Sequence, residues 1–125
     1  MIASSRKTLE LADFKIVEHS NQLGSAIWEE VILWTYFEKD TIGKQLVRAA
    51  DSIAANLSEA YGRFTFADRK RFAYYARGSL CETLNWLEIS TTRGLIKNDK
   101  SQRLTKELNL LSYRINTYIK YLKSQ

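Results

Sequence analysis

The amino-acid sequence predicts an all-α protein that folds as an up-down-up-down antiparallel four-helix bundle. Composition is the first reason: the 125 residues include no proline and five glycines, whereas all-β and α/β domains usually need more of both at their turns. The second reason is that apolar residues follow a helical period in four separate stretches. Short segments join these stretches, so consecutive helices are expected to lie antiparallel when they bury their apolar stripes together.

The first predicted helix covers residues 14–36, with Asp13 as its N-cap. Residues 1–12 lack a sustained period and are predicted to form a flexible N-terminal arm, which leaves 13–125 as one domain. Gly24 interrupts the helix at a cost of about 1 kcal/mol relative to alanine, so we expect another helix to pack closely there. The expected core-facing residues are Phe14, Val17, Ile27, Val31 and Trp34.

The second predicted helix covers residues 41–61 and follows a connection at 37–41, with Asp40 or Thr41 as its N-cap. Gly62 is suited to the left-handed conformation that commonly ends a helix. The expected apolar face has helical spacing and consists of Ile42, Leu46, Ala49, Ala50, Ile53, Leu57, Ala60 and Tyr61.

The third predicted helix covers residues 66–92 and ends before Gly94. Thr65 and Asp68 resemble a capping box in which Asp replaces the usual Glu. Cys81 follows an apolar residue of the stripe and is expected to be a small packing residue. The expected core residues are Phe72, Ala76, Leu80, Leu84 and Leu87.

The fourth predicted helix covers residues 99–123, with Asn98 as its N-cap. Its apolar residues alternate at intervals of four and three, which is the heptad-like spacing of helices packed in bundles. These residues are Leu104, Leu108, Leu111, Ile115, Tyr118 and Leu122.

The sequence argues against an enzyme and against metal or cofactor sites. The single cysteine, Cys81, cannot form an intramolecular disulfide, and the single histidine, His19, has no evident partner in a metal or catalytic pair. Neither a Gly-rich phosphate loop nor a helical Glu-x-x-His motif occurs. The first residues lack the apolar region of a secretory signal, and no apolar run approaches the roughly 18 residues of a membrane span. A soluble cytoplasmic protein is therefore expected.

Charge is distributed unevenly along the chain, with a net charge of +5 overall. Residues 1–62 carry six Lys or Arg and nine Asp or Glu, whereas 63–125 carry thirteen and five. A basic half with interleaved tyrosines is typical of surfaces that bind phosphates and unpaired bases, although ordinary solvated helix faces are also basic. The nucleic-acid-binding candidates are Arg63, Arg69, Lys70, Arg71, Arg77, Arg103, Lys106 and Arg114.

A second group of polar residues falls on one face of the second helix. At 100° per residue, the five residues Arg48, Ser52, Asn56, Glu59 and Arg63 lie within about 80° of arc, opposite the apolar face. Solvation of this face is the simple interpretation. The short Ser and Asn side chains also suit a polar contact between helices or subunits, in which Glu82 of the third helix would face the arginine at position 48.

Two segments, KQLVRAADSIAANLSEAYGR and YYARGSLCETLNWLE, resemble the four-helix bundle family named for 23S rRNA intervening sequences, to which the accessory variability determinants of diversity-generating retroelements are related. The resemblance covers about residues 12–122. The family pattern Asn-Ile-Ala-Glu-Gly-x-Gly-Arg reads here as Asn-Leu-Ser-Glu-Ala-Tyr-Gly-Arg over 56–63, so Ala60 replaces a usual glycine. The residues at signature positions, which we call the polar seam, are Arg48, Ser52, Asn56, Glu59, Gly62, Arg63, Ser79 and Glu82.

The resemblance implies a non-catalytic protein that forms ring-like homo-pentamers with a basic surface. The related retroelement proteins further imply that the partners are RNA and a reverse transcriptase. The leading hypothesis is therefore a homo-oligomeric module that binds nucleic acid, RNA in preference to DNA, through its basic half. One alternative is a scaffold that docks an acidic partner protein such as a reverse transcriptase. Another is a small-ligand site or enzyme built on Arg48, Asn56 and Glu59.

Overall fold

The computed structural model describes the backbone of residues 2–125 and the side chains of residues 14–125. Within these residues the chain contains helices and no strand, which confirms the all-α prediction. Four long helices make up the protein, and the short α2 with a π-helical segment, Lys39–Gly43, leads into the second of them. The helices are α1 (Ile2–Val31), α2 (Tyr36–Glu38), α3 (Lys44–Gly62), α4 (Phe66–Thr92) and α5 (Asn98–Lys123).

Contacts between neighbouring helices show the antiparallel arrangement. Glu30 near the end of α1 pairs with Lys100 at the start of α5 at 2.7 Å, and His19 farther back in α1 meets Glu107 farther along α5 at 2.9 Å. The same reversal joins α4 to α5, in Thr91–Ser101 and Arg77–Asn116, and α3 to α4, in Asn56–Ser79 and Arg63–Phe72. The predicted up-down-up-down bundle is confirmed.

The apolar stripes predicted for α3 and α5 form the core. All six predicted α5 residues are buried, and so are the predicted α3 residues except Tyr61, which is 40% exposed. Gly24 also behaves as predicted, because a Cβ atom placed there would lie 2.8 Å from Oδ1 of Asp51 in α3. The glycine thus lets α1 approach α3 closely.

The predicted stripes of α1 and α4 are partly wrong. Phe14 is 66% exposed, Cys81 is exposed rather than packed, and both Phe72 and Leu84 are only half-buried. Small hydroxyl residues occupy part of the true core face, since each donates to a carbonyl four residues earlier in its own helix and so needs no water. These residues are Ser20 in α1 and Thr83 and Ser90 in α4.

The first connection lies earlier than predicted. Helix α1 ends at Val31, and the chain resumes helical structure after Thr35, whose hydroxyl accepts from the Glu38 amide at 3.3 Å while the Glu38 carboxylate accepts from the Thr35 amide at 3.0 Å. This reciprocal capping box starts the helix. Asp40 and Thr41 lie inside the π-helical segment and are not caps.

The remaining helix ends agree with the prediction in two of four places. The Thr65 hydroxyl accepts from the Asp68 amide at 3.1 Å, as the capping pattern predicts, and Gly94 has the left-handed φ of 76° that ends α4. Gly62, by contrast, stays helical, and Arg63 leaves the helix with extended backbone. The N-cap position of α5 is Lys97 rather than Asn98.

At the N-terminus, α1 extends back to Ile2, so the predicted start at residue 14 is wrong and Asp13 is not the N-cap. The sequence predicts that residues 1–12 are flexible. Their side chains are not among those that the structure describes, so this stays a prediction. Among the described residues, no helix combines the length and apolar character needed to cross a membrane.

Candidate functional site

One end of the bundle is strongly basic. The α3–α4 connection, the first turns of α4 and the last turn of α5 meet there, because α4 and α5 are antiparallel. Seven cations and Asp68 lie on these segments, Glu59 lies in the adjoining last turn of α3, and each of the two carboxylates is already paired with an arginine. We call this surface the basic end. Its cations are Arg63, Arg69, Lys70, Arg71, Arg77, Lys120 and Lys123.

Arginines of the basic end stack on aromatic rings of α4. The guanidinium carbon of Arg63 lies 4.6 Å from the centre of the Phe72 ring, and that of Arg71 lies 5.0 Å from the same ring. Tyr75 meets Phe72 edge-on, with ring centres 5.4 Å apart. Cation–π contacts of this kind orient a guanidinium while leaving its N–H groups at the surface.

A second stack joins α4 to α5. The Arg77 guanidinium lies 4.8 Å from the centre of the Tyr74 ring and donates to Oδ1 of Asn116 at 3.1 Å. Lys123, in the last turn of α5, lies 5.7 Å from the same ring centre. Its hydrogen bond to the tyrosine favours the phenolate and lowers the pKa of Tyr74 below its usual value. The charges of α5 are thereby fixed beside those of α4.

The connection between α3 and α4 is held by hydrogen bonds. Arg69 donates through Nε to the Arg63 carbonyl at 2.7 Å, and its guanidinium carbon lies 5.8 Å from the centre of the Phe66 ring. Thr65 caps α4 from the other side of the turn. These contacts leave the ring of Phe64 95% exposed and that of Phe66 43% exposed. The basic end therefore combines oriented cations with uncovered aromatic faces.

The structure separates the eight nucleic-acid-binding candidates into two groups. Five of them, from residue 63 to residue 77, lie together at the basic end, whereas Arg103, Lys106 and Arg114 lie along α5. With a rise of 1.5 Å per residue, residue 103 is about 30 Å along the helix from Lys123. Arg103 lies 3.9 Å from Asp99, and Lys106 borders a shallow cleft of about 370 Å³.

Arg114 belongs to a cluster with His19, for which the sequence suggested no partner. Arg114 donates through Nη1 to Nδ1 of His19 at 3.3 Å, so the proton of the neutral ring is placed on Nε2, which donates to Glu107 at 2.9 Å. This cluster links α1 to α5. Among the side chains of residues 14–125, no group of three or more His, Cys, Asp or Glu residues is arranged to hold a metal ion.

Sequence reasoning missed Lys120, Lys123 and Phe64. The two lysines are remote from the densest basic run, residues 68–72, along the chain. The predicted antiparallel pairing of the last two helices contained the signal, because it brings the end of α5 back to the start of α4. Phe64 could have been recognised as an aromatic residue between two helices rather than on the stripe of either.

The polar seam follows the groove between α3 and α4. Ser52 donates to the Arg48 carbonyl at 2.7 Å and Asn56 donates to the Ser52 carbonyl at 2.9 Å, so both satisfy their own helix. The Asn56 amide also reaches Oγ of Ser79 across the groove at 3.5 Å. This contact is the polar link between the two helices.

The remaining seam residues face outward. Arg48 and Glu82 are both exposed and form no ion pair with each other within residues 14–125, so the suggested buried link between them is wrong for the single chain. Glu82 instead accepts from Nε1 of Trp86 at 3.4 Å, and Glu59 pairs with Arg63 at 2.5 Å. Gly62 is exposed, and a Cβ atom there would meet nothing within 4 Å.

Comparison with known proteins finds a solved structure with the same fold and a matching family. The chain superposes with a TM-score of 0.81 on the 1.70 Å crystal structure of a protein with unknown function from the S23 ribosomal protein family of Bacteroides thetaiotaomicron VPI-5482. The two are 22% identical over 87% of this chain and 98% of that one, a likeness that establishes the fold alone. No curated protein matches this sequence. The family model described as 23S rRNA-intervening sequence protein matches residues 12–117, which is most of the chain. The chain therefore belongs to the 23S rRNA-intervening sequence protein family.

Proposed function

We propose that this protein is a non-catalytic, homo-oligomeric helical module that binds RNA through its basic end. The observation that carries the proposal is the basic end itself, where seven cations and two paired carboxylates leave an excess of five positive charges beside exposed aromatic rings. Such a surface attracts phosphates because each neutralised phosphate releases condensed counterions.

The arrangement favours RNA over duplex DNA. Aromatic side chains contribute to nucleic-acid binding mainly by stacking on unpaired bases, which RNA presents in loops, bulges and ends. The family description refers to intervening sequences of 23S rRNA. Those words associate the family with an RNA gene and do not state an activity, so the proposal rests on the surface of this chain.

Homo-oligomerisation, with a pentamer as the expected form, rests on the resemblance and on two features of the chain. The first is the charge asymmetry, since a half with nine carboxylates and six cations can attract the basic half of another copy. The second is the exposed, small-residue face of the polar seam. Light scattering with sedimentation velocity measures the oligomeric state, and a monomer at micromolar concentration would contradict this part of the proposal.

RNA binding is tested by anisotropy of a labelled RNA stem–loop at several salt concentrations. If the seven cations each meet a phosphate, the affinity should fall about 10³-fold between about 50 and 200 mM salt. The variant R69E/K70E/R71E should bind far more weakly, and the slope of log affinity against log salt should shrink by about 2 to 3. Arg69 also holds the α3–α4 turn through the Arg63 carbonyl. The variant K70E/R71E leaves that bond intact and breaks only the exposed Arg71–Asp68 pair, so a loss of affinity in K70E/R71E is a loss of charge rather than of the turn.

The control that matches K70E/R71E in charge is R103E/K106E, which reverses two exposed cations that lie away from the basic end. Its affinity should stay within about threefold of the unchanged protein, since only long-range attraction is lost. Equal losses in both variants would show that net charge alone drives binding. Absence of binding at low salt would overturn the proposal.

The rival function, docking of an acidic partner protein such as a reverse transcriptase, would use the same cations to bind carboxylates. Exposed Phe64 and Phe66 suit either partner. Capture of a protein that survives nuclease treatment and is lost in R69E/K70E/R71E, combined with no RNA affinity, would establish the rival instead.

A further inference from the structure

We propose that Phe64 is a stacking residue for an unpaired RNA base, so that the basic end selects single-stranded segments over duplexes. This inference rests on the proposed RNA binding and names the class of RNA. The inference is based on the position of Phe64, which is 95% exposed. It lies in a hydrogen-bonded turn between two oriented arginines, Arg63 and Arg69.

Exposure distinguishes Phe64 from the other rings of the basic end. Its side chain is 95% exposed, whereas Phe66 and Tyr61 are 43% and 40% exposed and Phe72 is half-buried under two guanidinium groups. Covering a phenylalanine ring removes a large apolar surface from water, which is favourable. A single exposed apolar residue is ordinary, but this one lies in the turn between Arg63 and Arg69, at the basic end.

The turn that carries Phe64 is fixed on both sides. The Arg63 amide donates to the Ala60 carbonyl at 3.2 Å, which ends α3, and the Arg63 carbonyl accepts from Nε of Arg69 at 2.7 Å. Thr65 then caps α4 through the Asp68 amide. Only residues 63–65 separate the two helices, so the ring is held outward and loses little conformational freedom when a ligand covers it.

Two arginines hold or adjoin the turn that carries Phe64. Arg63 directly precedes Phe64 and is oriented by the Phe72 ring and by its ion pair with Glu59, while Arg69 is oriented by Phe66 and the Arg63 carbonyl. Each guanidinium keeps further N–H groups for a phosphate oxygen. A base stacked on Phe64 would therefore bring its flanking phosphates to a turn that presents two guanidinium groups.

A duplex cannot use this ring without first being opened. Both faces of each internal base are covered by neighbouring bases, and unstacking one step costs free energy. Stacking on one aromatic side chain recovers only part of that cost. Duplex RNA is thus limited to the phosphate contacts, whereas a single strand gains the stack as well.

The test compares Phe64→Ala with Phe37→Ala on a single-stranded RNA and on a duplex that contains the same strand. Phe37 is a matched control, because it is 75% exposed and lies at the opposite end of the bundle. Phe64→Ala should weaken single-strand binding about 5- to 150-fold, the range that 1–3 kcal/mol implies. Duplex binding should change less than twofold, Phe37→Ala should change neither, and Phe64→Trp should retain single-strand affinity.

Fluorescence of 2-aminopurine in the single strand adds a direct readout, since its intensity depends on what the base stacks on and should change on binding to the unchanged protein but not on binding to Phe64→Ala. Equal effects of Phe64→Ala and Phe37→Ala on the single strand, or equal loss on strand and duplex, would overturn the inference. Loss of binding to vesicles of anionic phospholipid in Phe64→Ala, with RNA affinity unchanged, would assign the ring to a membrane surface instead. If neither RNA binds with salt dependence, the proposed function fails; if both bind and Phe64→Ala has no effect, only this inference fails.

Discussion

The two ends of the bundle both expose aromatic rings, but they use their polar groups differently. At the far end, formed by residues 32–38 and the α4–α5 connection, Leu33, Tyr36 and Phe37 are 75–81% exposed. Beside this end, charged groups of the neighbouring helix turns pair with each other in Lys100–Glu30 and Lys44–Asp40. At the basic end the cations exceed the carboxylates, and five of the cations lie over aromatic rings.

Exposed aromatic area therefore does not by itself indicate a nucleic-acid site. A ring becomes useful to a polyanion where cations outnumber carboxylates beside it, because phosphate contacts supply the affinity and stacking adds to it. Both ends contain ion pairs and a helix cap. Only the basic end combines its exposed rings with an excess of cations on the segments that form it.

Glycine substitutions should give the largest contrast in stability between the two ends. A Cβ atom at Gly43, next to the far end, would lie 2.7 Å from Cγ1 of buried Val31 and 3.3 Å from Cε3 of Trp34. Gly43→Ala should therefore lower the free energy of unfolding by about 1–3 kcal/mol through overpacking. Gly62→Ala at the basic end meets nothing within 4 Å and keeps a helical φ, so it should raise stability by about 0.4–1 kcal/mol.

Denaturant unfolding at one fixed protein concentration measures both variants, since self-association would otherwise shift the midpoint. Gly78→Ala is the control for helix propensity, because Gly78 is exposed and also meets nothing within 4 Å. A stabilising Gly43→Ala would break the distinction between a tightly packed far end and an open basic end.

Helix caps should give a smaller contrast. Thr35→Ala removes the hydroxyl that accepts from the Glu38 amide and leaves the residue 35 amide as the only donor of the capping box, so it should cost about 1–2 kcal/mol. Thr65→Ala removes the single bond to the Asp68 amide and should cost about 0.5–1 kcal/mol. Thermal unfolding of the two variants side by side checks the order, and a larger loss for Thr65→Ala would contradict it.

The smallest effect concerns Tyr74 at the basic end. Lys123→Gln removes the hydrogen bond and the charge that lower the pKa of Tyr74, so the phenol should titrate at higher pH in this variant. Ultraviolet difference titration, with Tyr74→Phe to identify the signal, measures the shift. The pKa of Tyr74 is lower in the folded state than in the unfolded state, whose value is near 10. The contact therefore stabilises the fold fully above about pH 10, and this stabilisation is lost as the pH falls through the folded-state pKa. An unchanged titration would place Lys123 away from the ring in solution.

The buried positions were predicted most accurately for the helices whose core faces are mostly apolar. The α5 stripe was correct at all six positions because leucine, isoleucine and tyrosine mark a buried face without ambiguity. The α4 face was obscured, since Thr83 and Ser90 are buried while Leu84 is half-exposed. Hydroxyl groups that bond their own helix carbonyls can be buried at little cost, and composition-based reasoning reads them as surface.

The candidate site was predictable in part for a similar reason. The basic run from residue 63 to residue 77 is local, so the sequence displayed it directly. Whether Arg103, Lys106 or Lys123 lies beside this run depends on which turn of α5 faces which turn of α4. The sequence implied antiparallel helices but not their register.

By itself, the sequence determined the four helices, the antiparallel order and the excess of positive charge in the second half, because periodicity, turn length and composition are local properties. Only the packed helices set the register of α5 against α4, which places Lys123 and Arg77 over the same Tyr74 ring. Tertiary structure also decided that Phe64 stays outside the core while Arg63 and Arg71 share the Phe72 ring. The reason is that such proximity comes from the packing of whole helices, whose contacts join residues far apart in the chain.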